Sequence, residues 1–412
     1  MKLFRKAFHA ATLVMAIIFS MFFSCGAASE KKTPYDNLHR ISTDIMSISY
    51  RGDTALYPEN SFEGIISAYK KGADMVSVNV EKTADGVFVL CESESLNNIC
   101  DTSAQNVREI EFSAIEECFL YDNSGKLTSC QFATAEDVIK NTKESCFLVF
   151  DFNWDDRDQL YELIRENNAL QRVFLRTMQG SRAICSWLNT KEEKPFVIGV
   201  YDGGIIFNAI SHINNLSSAA MPLVQYQSKN HFNVMYGSLV YDNFSAEGKA
   251  SAIAPVYKPE LCGMRNDSQS GWDELIDKGF TVFETNNIEA FESYIESRNS
   301  ALENLEELKK KADSIDKAVY SYVSVDNLNS SLSAVDEVLS SGKSSLAEIQ
   351  NVNSVLVNSM NSLMIKTGND TQKGALNVTP GKIIAALFVT VGILDGEMFI
   401  HKMHVKRRKT EK

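Results

Sequence analysis

A (β/α)8 barrel of the TIM type, followed by a small three-helix bundle and a C-terminal transmembrane helix, is the architecture this sequence predicts. Three observations predict it. Short β-rich runs alternate with amphipathic helical runs over residues 43–298; strand periodicity then stops and helical stripes follow over 299–366; one more apolar run spans 383–400 ahead of a basic tail. Repeated strand and helix of this length implies a parallel sheet. About eight such strands in roughly 250 residues suit a closed α/β barrel better than an open doubly wound sheet.

The barrel begins with DIMSISY as a strand, SFEGIISAYKKG as a helix, DMVSVNV as a strand, and a tight TADG return into the strand VFVLCE. Further apolar runs at CFLVFDF, RVFLRTM, PFVIGVY, MPLVQYQ and FTVFET read as strands, with RDQLYELIREN and SGWDELIDKG as amphipathic helices between several of them. None of these turns carries the glycine pattern of a dinucleotide site.

The helical segment shows three stripes. Leu302, Leu305, Leu308, Ala312 and Ile315 form the first, Leu328, Leu332, Val335 and Leu339 the second, and Leu346, Ile349, Val352, Leu356, Met360 and Leu363 the third. Gly342 ends the second helix. The segment resembles the FIVAR-type helical modules of Gram-positive cell-surface proteins; read from its core stripes alone, it is a rigid spacer without a ligand. Residues 367–382 are polar and aperiodic, as a linker is.

Residues 383–400 are apolar apart from Asp395 and Glu397. About 18 residues at 1.5 Å each reach about 27 Å, enough for a bilayer core. The tail 401–412, with Lys402, Lys406, Arg407, Arg408 and Lys409, is expected to be cytoplasmic. At the other end, Lys2, Arg5 and Lys6 precede an apolar run and the small residues Cys25 to Ala28, so residues 1–28 read as an export signal or signal anchor. Cleavage after Ala28, lipidation at Cys25 and an uncleaved anchor all remain open. The expected location is the cell membrane, with the bulk of the chain extracytoplasmic.

The 412 residues are 44% hydrophobic and 23% charged, so a substantial core is expected. A net charge of -12 and a pI near 5.1 argue against nucleic acid, whose phosphates call for a basic face. The cysteines show no CxxC spacing and no histidine-rich company, which speaks against zinc. Cys91, Cys100, Cys118, Cys130, Cys146, Cys185 and Cys262 are either disulfide partners or buried thiols, and the sequence assigns no pairing.

Residues 48–96, ISYRGDTALYPENSFEGIISAYKKGADMVSVNVEKTADGVFVLCESESL, carry the most specific pattern. Arg51-Gly52 ends a strand, Pro58-Glu59-Asn60 starts a helix, Gly72-Ala73-Asp74 leads into the next strand, and Asp85-Gly86 precedes another, without a gap in register. This stretch resembles the opening of the glycerophosphodiester phosphodiesterase family. Weaker matches at FATAEDVIKNTKESCFLVFDFN and WDELIDKGFTVFETNN extend the resemblance over about 43–298.

The resemblance also implies a site, at the C-terminal ends of the barrel strands. It places Tyr50 and Glu92 where the family has its two acid-base histidines. Ser77, Asn79 and Asp151 stand where the family has three carboxylates for a divalent cation, Mg or Ca, and Asn153 where it has a lysine. Only Asp151 keeps a charged ligand. A phenol is a poor base at neutral pH, and neutral hydroxyl and amide ligands hold hard cations weakly. Arg51 is read either as a phosphate-binding group or as a bridge between mouth carboxylates, Asn153 as a substrate contact, and Glu59 as a cap for the helix near Ser61. His39, His212 and His231 are not expected to replace the lost histidines. The resulting expectation is the family's fold with impaired catalysis, no metal cofactor, attachment to the membrane through the C-terminal helix, and an envelope polymer, a glycerophosphodiester or a protein as ligand. An active phosphoric diester hydrolase with a rebuilt site is the alternative.

Overall fold

The structure, a computed structural model of the chain, describes residues 44–92, 96–104, 106–143, 145–202, 223–227 and 251–366. The export signal, linker, membrane span and tail expected at 1–28, 367–382, 383–400 and 401–412 lie outside these residues. Among the described residues no helix is long and apolar enough to cross a membrane. The chain divides into two compact units: Met1–Asn299 with Gly342–Leu346, and Ser300–Ser341 with the residues from Ala347 onward.

The first unit is built on a ring of eight parallel strands: β1 (Met46–Tyr50), β2 (Met75–Lys82), β6 (Phe147–Phe152), β7 (Val173–Thr177), β8 (Phe196–Asp202), β9 (Leu223–Gln227), β10 (Ser251–Ala254) and β11 (Val282–Thr285). The ring closes where Ser49 of β1 pairs with Thr285 of β11. Strand β10, sequence SAIA, is absent from the runs read as strands above, and it completes the circuit between β9 and β11. VFVLCE corrects the expectation in the other direction. Its strand, β3 (Phe88–Leu90), pairs antiparallel with β2 and lies outside the ring, so Glu92 does not end a barrel strand. A small hairpin, β4 (Phe119–Tyr121) and β5 (Leu127–Gln131), follows.

The two-residue alternation of each strand splits the hydrophobic residues into an inner and an outer core. Met46, Ile48, Met75, Phe147, Val149, Phe174, Phe196, Ile198, Leu223, Ile253 and Val282 pack together inside the ring. Val76, Val78, Val80, Leu148, Phe150, Val173, Leu175 and Val197 point outward and pack under α1 (Phe62–Lys70), α2 (Ala135–Asn141), α3 (Arg157–Glu166) and α4 (Ser181–Leu188). Full burial of each such side chain contributes about 1.5–3 kcal/mol. Helix α1 starts because the Ser61 hydroxyl accepts from Gly64 N at 3.2 Å. Ser61 is therefore the cap, and Glu59, expected in that role, is engaged elsewhere. α5 (Gln269–Ile276) precedes β11.

In the second unit, the later part of α6 (Ile288–Asp313), α7 (Tyr322–Ser341) and α8 (Leu346–Asn361) share a core of Leu305, Ala312, Leu328, Leu332, Val335, Val338, Ile349 and Leu356. Gly342, at φ +63°, ends α7. The unit boundary falls inside α6, between Asn299 and Ser300.

Candidate functional site

Along the interior of the ring, apolar side chains give way to polar ones toward the C-terminal ends of the strands. Strand register sets this up: Tyr50 pairs with Ser77, Asn79 with Asp151, and Asp151 with Arg176.

The turn after β1 is tied down first. Arg51 adopts φ +57°, a left-handed conformation uncommon for a residue with a side chain, and Gly52 follows at +89°. A Cβ on Gly52 would lie 2.9 Å from the carbonyl carbon of Gly64, so only glycine lets this turn approach α1. Arg51 N donates to Ser77 O at 2.8 Å, Asn60 N to Arg51 O at 3.0 Å, and Asn79 N to Asn60 Oδ1 at 2.9 Å. The Arg51 guanidinium reaches Glu59 at 2.5 Å and Glu92 at 2.8 Å through Nη1. Burial works against its charge, but Glu92, Tyr50 and Glu59 outweigh it and hold Arg51 protonated. Its Nε is buried without a hydrogen-bond partner. Arg51 is thus the bridge between carboxylates, and among the described residues Glu92 joins the mouth through it.

Tyr50 stacks on Tyr257, with ring centroids 3.7 Å apart and planes 9° from parallel. The Arg51 guanidinium lies 4.8 Å from the Tyr50 ring centre. Burial is the main cause that pushes the Tyr50 phenol up to about 12, farther from neutrality than an exposed tyrosine.

The centre of the mouth is occupied by a group that sequence reading passed over. Arg176, at the end of β7, is 4% exposed. Its Nε donates to Asp151 Oδ1 at 2.6 Å and its Nη2 to Asp151 Oδ2; Nη1 donates to Glu284 Oε1 at 2.7 Å, Glu284 Oε2 at 2.8 Å and Gln225 Oε1 at 2.9 Å. Glu284, on β11, is 0% exposed. Burial pushes its carboxyl upward despite Arg176, while Asp151 and Glu284 keep the guanidinium charged against its own burial. The Ser77 hydroxyl faces Glu284 and favours its charged form, although its geometry falls short of a regular hydrogen bond. Asn79 Oδ1 is buried and unpartnered.

Of the residues singled out from sequence, Tyr50, Arg51, Ser77, Asn79 and Asp151 gather at the mouth. Asn153 is exposed, and its Oδ1 accepts from Asp155 N at 3.0 Å, capping a short 3-10 turn. The chain's six histidines, His39, His212 and His231 among them, all lie outside the described residues. The divalent cation implied by the resemblance does not fit this donor set. Both oxygens of Asp151 and both of Glu284 already accept from Arg176, and among the described residues no cluster of three acidic, histidine or cysteine side chains could hold a metal. Among the described residues, two guanidiniums face four carboxylates at the mouth. The seven described cysteines, of eight in the sequence, form no disulfide with one another. A cavity of about 440 Å³ lies at the opposite end of the barrel, where Met46 and Phe147 open their strands beside Tyr69, Lys70 and Lys143, far from these groups.

The motif residues that match have structural work in this frame. Asp74 accepts from Ser47 N at 3.0 Å across to β1, and Asp85 accepts from Thr83 Oγ1 at 2.5 Å and from Phe112 N at 3.1 Å.

Residues 51–188 match a family model described as the glycerophosphoryl diester phosphodiesterase family. No curated protein matches the chain. Among solved structures, a glycerophosphoryl diester phosphodiesterase from Parabacteroides distasonis is similar at 16% identity and a TM-score of 0.52, covering 63% of this chain and 90% of its own. A glycerophosphodiester phosphodiesterase from Agrobacterium tumefaciens has 12% identity and a TM-score of 0.48, over 60% of this chain and 99% of its own. One from Thermotoga maritima has 16% identity and 0.45, over 60% and 97%.

Proposed function

We propose, from the match of residues 51–188 to the glycerophosphoryl diester phosphodiesterase family model, that the chain is a catalytically impaired member of that family that works by binding. One observation carries the reading. The two positions where the resemblance calls for acid-base groups hold a stacked tyrosine pushed up to about 12 and a glutamate paired with Arg51. Proton transfer near neutral pH needs a group titrating near neutrality and within reach of the reacting oxygen; Tyr50 is shifted the wrong way, and Glu92 follows a strand outside the ring and is tied to Arg51.

Four carboxylates against two guanidiniums among the described residues of the mouth support an uncharged or cationic ligand, such as an envelope polymer or a protein segment, over a phosphodiester. The apolar run at 383–400 and the basic tail behind it support attachment to the cell membrane with the barrel outside. The helical segment is then a spacer between the two. Purified full-length protein should release no glycerol 3-phosphate from glycerophosphodiesters in Mg²⁺, Mn²⁺ or Ca²⁺. Each acid-base group contributes about 10²–10⁴-fold, so their loss should leave turnover at background. Hydrolysis that a chelator stops and Asp151→Ala abolishes would instead establish a rebuilt active site.

A further inference from the structure

We propose that Arg176 is the resident cation of the barrel mouth, filling an oxygen cage that would otherwise take a hard divalent ion, so that the site assembles without metal. The inference deepens the binding reading above and rests on it for the view that the mouth has no metal-dependent task.

Five oxygens converge on the guanidinium: both of Asp151, both of Glu284 and Oε1 of Gln225. The oxygens come from β6, β11 and β9 and the guanidinium from β7, so the cage closes only when the ring does. Two carboxylates and an amide oxygen at one buried point are the donor types that hard cations select. The seated guanidinium uses them differently. Its planar fork takes Asp151 with two donors and spans to Glu284, a geometry that an ammonium or a spherical ion cannot reproduce. Burial rules out a loose arrangement, since Arg176 is 4% and Glu284 0% exposed. A guanidinium is covalently held and stays charged at any physiological pH, so no free ion competes with it at ordinary concentrations.

The test compares full-length wild type with Arg176→Ala, by calorimetric titration with Ca²⁺ and Mn²⁺ and by melting followed through tryptophan fluorescence. Wild type should show no saturable uptake that depends on Glu284 and the same melting temperature in Ca²⁺, Mn²⁺ or EDTA. Arg176→Ala should gain one saturable site and a metal-dependent rise in melting temperature of a few degrees, because an ion that binds only the folded state stabilises it. Both gains should vanish in Arg176→Ala/Glu284→Gln. Uptake by wild type that Glu284→Gln removes would overturn the proposal, as would a folded Arg176→Ala that gains no site. If Arg176→Ala folds only with metal, the proposal stands; if it never folds, the wild-type titration alone decides. Metal-free hydrolysis by wild type would sink the impaired-enzyme reading while leaving this one intact.

Discussion

Replacing Arg176 with methionine removes the charge and keeps much of the stem, leaving Glu284 in a site with 0% exposure. Glu284 is then without its donor at 2.7 and 2.8 Å, and Gln225 without its donor at 2.9 Å. Removing one partner of a buried ion pair costs about 3–5 kcal/mol, because the remaining charge is stranded. Asp151, with a side chain 29% exposed, adds less, since water can solvate it. Arg176→Met should therefore destabilise the barrel by about 3–5 kcal/mol, and Glu284→Leu by less, since the guanidinium keeps both oxygens of Asp151 and the amide oxygen of Gln225. The double variant removes both buried charges, and such replacements are often close to neutral. Its destabilisation should fall short of the sum of the two single effects by about 2–3 kcal/mol. Urea titration followed by fluorescence suits the measurement, because Trp154, Trp187 and Trp272 all lie in the barrel unit. Single effects under about 1 kcal/mol, or effects that add to within about 0.5 kcal/mol, would refute the buried-pair reasoning.

Two other expectations concern titration. Burial alone would raise the Asp156 carboxyl, but Lys82 at 2.5 Å and Arg108 at 2.7 Å hold it below its ordinary 3.8. A folded value below the unfolded one means that this cluster stabilises the barrel above about pH 4 and stops doing so as pH falls through the folded value. Unfolding midpoints should drop in that acid window, and Asp156→Asn should show a shallower drop; an unchanged slope in the variant would count against the cluster. Separately, burial pushes the thiols of Cys100 and Cys262 up to about 12. Both should resist iodoacetamide at pH 8 in the native protein and react after unfolding, as read by peptide mass mapping.

Much of the barrel was legible because its strands are short apolar runs and its opening turn uses residues with few substitutes. Gly52 sits where a Cβ would collide with the Gly64 backbone, and Asn60 accepts a hydrogen bond from β2, so the pattern that carries the family resemblance is mainly a structural one. Strand β10 escaped notice because four residues, SAIA, show no useful alternation. Helix α4 was equally quiet: its N-cap is Gly180, which offers no capping side chain. Glu92 was misplaced because VFVLCE reads equally well as a ring strand or as an antiparallel addition to one. The central pair of the mouth was hidden by distance. Arg176 and Glu284 are 108 residues apart, and each looks like an ordinary charge at the end of an apolar strand. The available signal was parity: Arg176 shares a strand face with Phe174, and Glu284 with Val282, both of which point into the ring.

The inner core of the ring has a consequence for traffic. Met46, Ile48, Phe147, Phe174, Phe196 and their neighbours fill the interior beneath the polar mouth, so the barrel is a stoppered cup rather than a conduit. Whatever the mouth accepts has to leave by the opening through which it came. Arrival and departure therefore share one doorway, and a bulky partner seated there shuts in any smaller molecule that arrived before it.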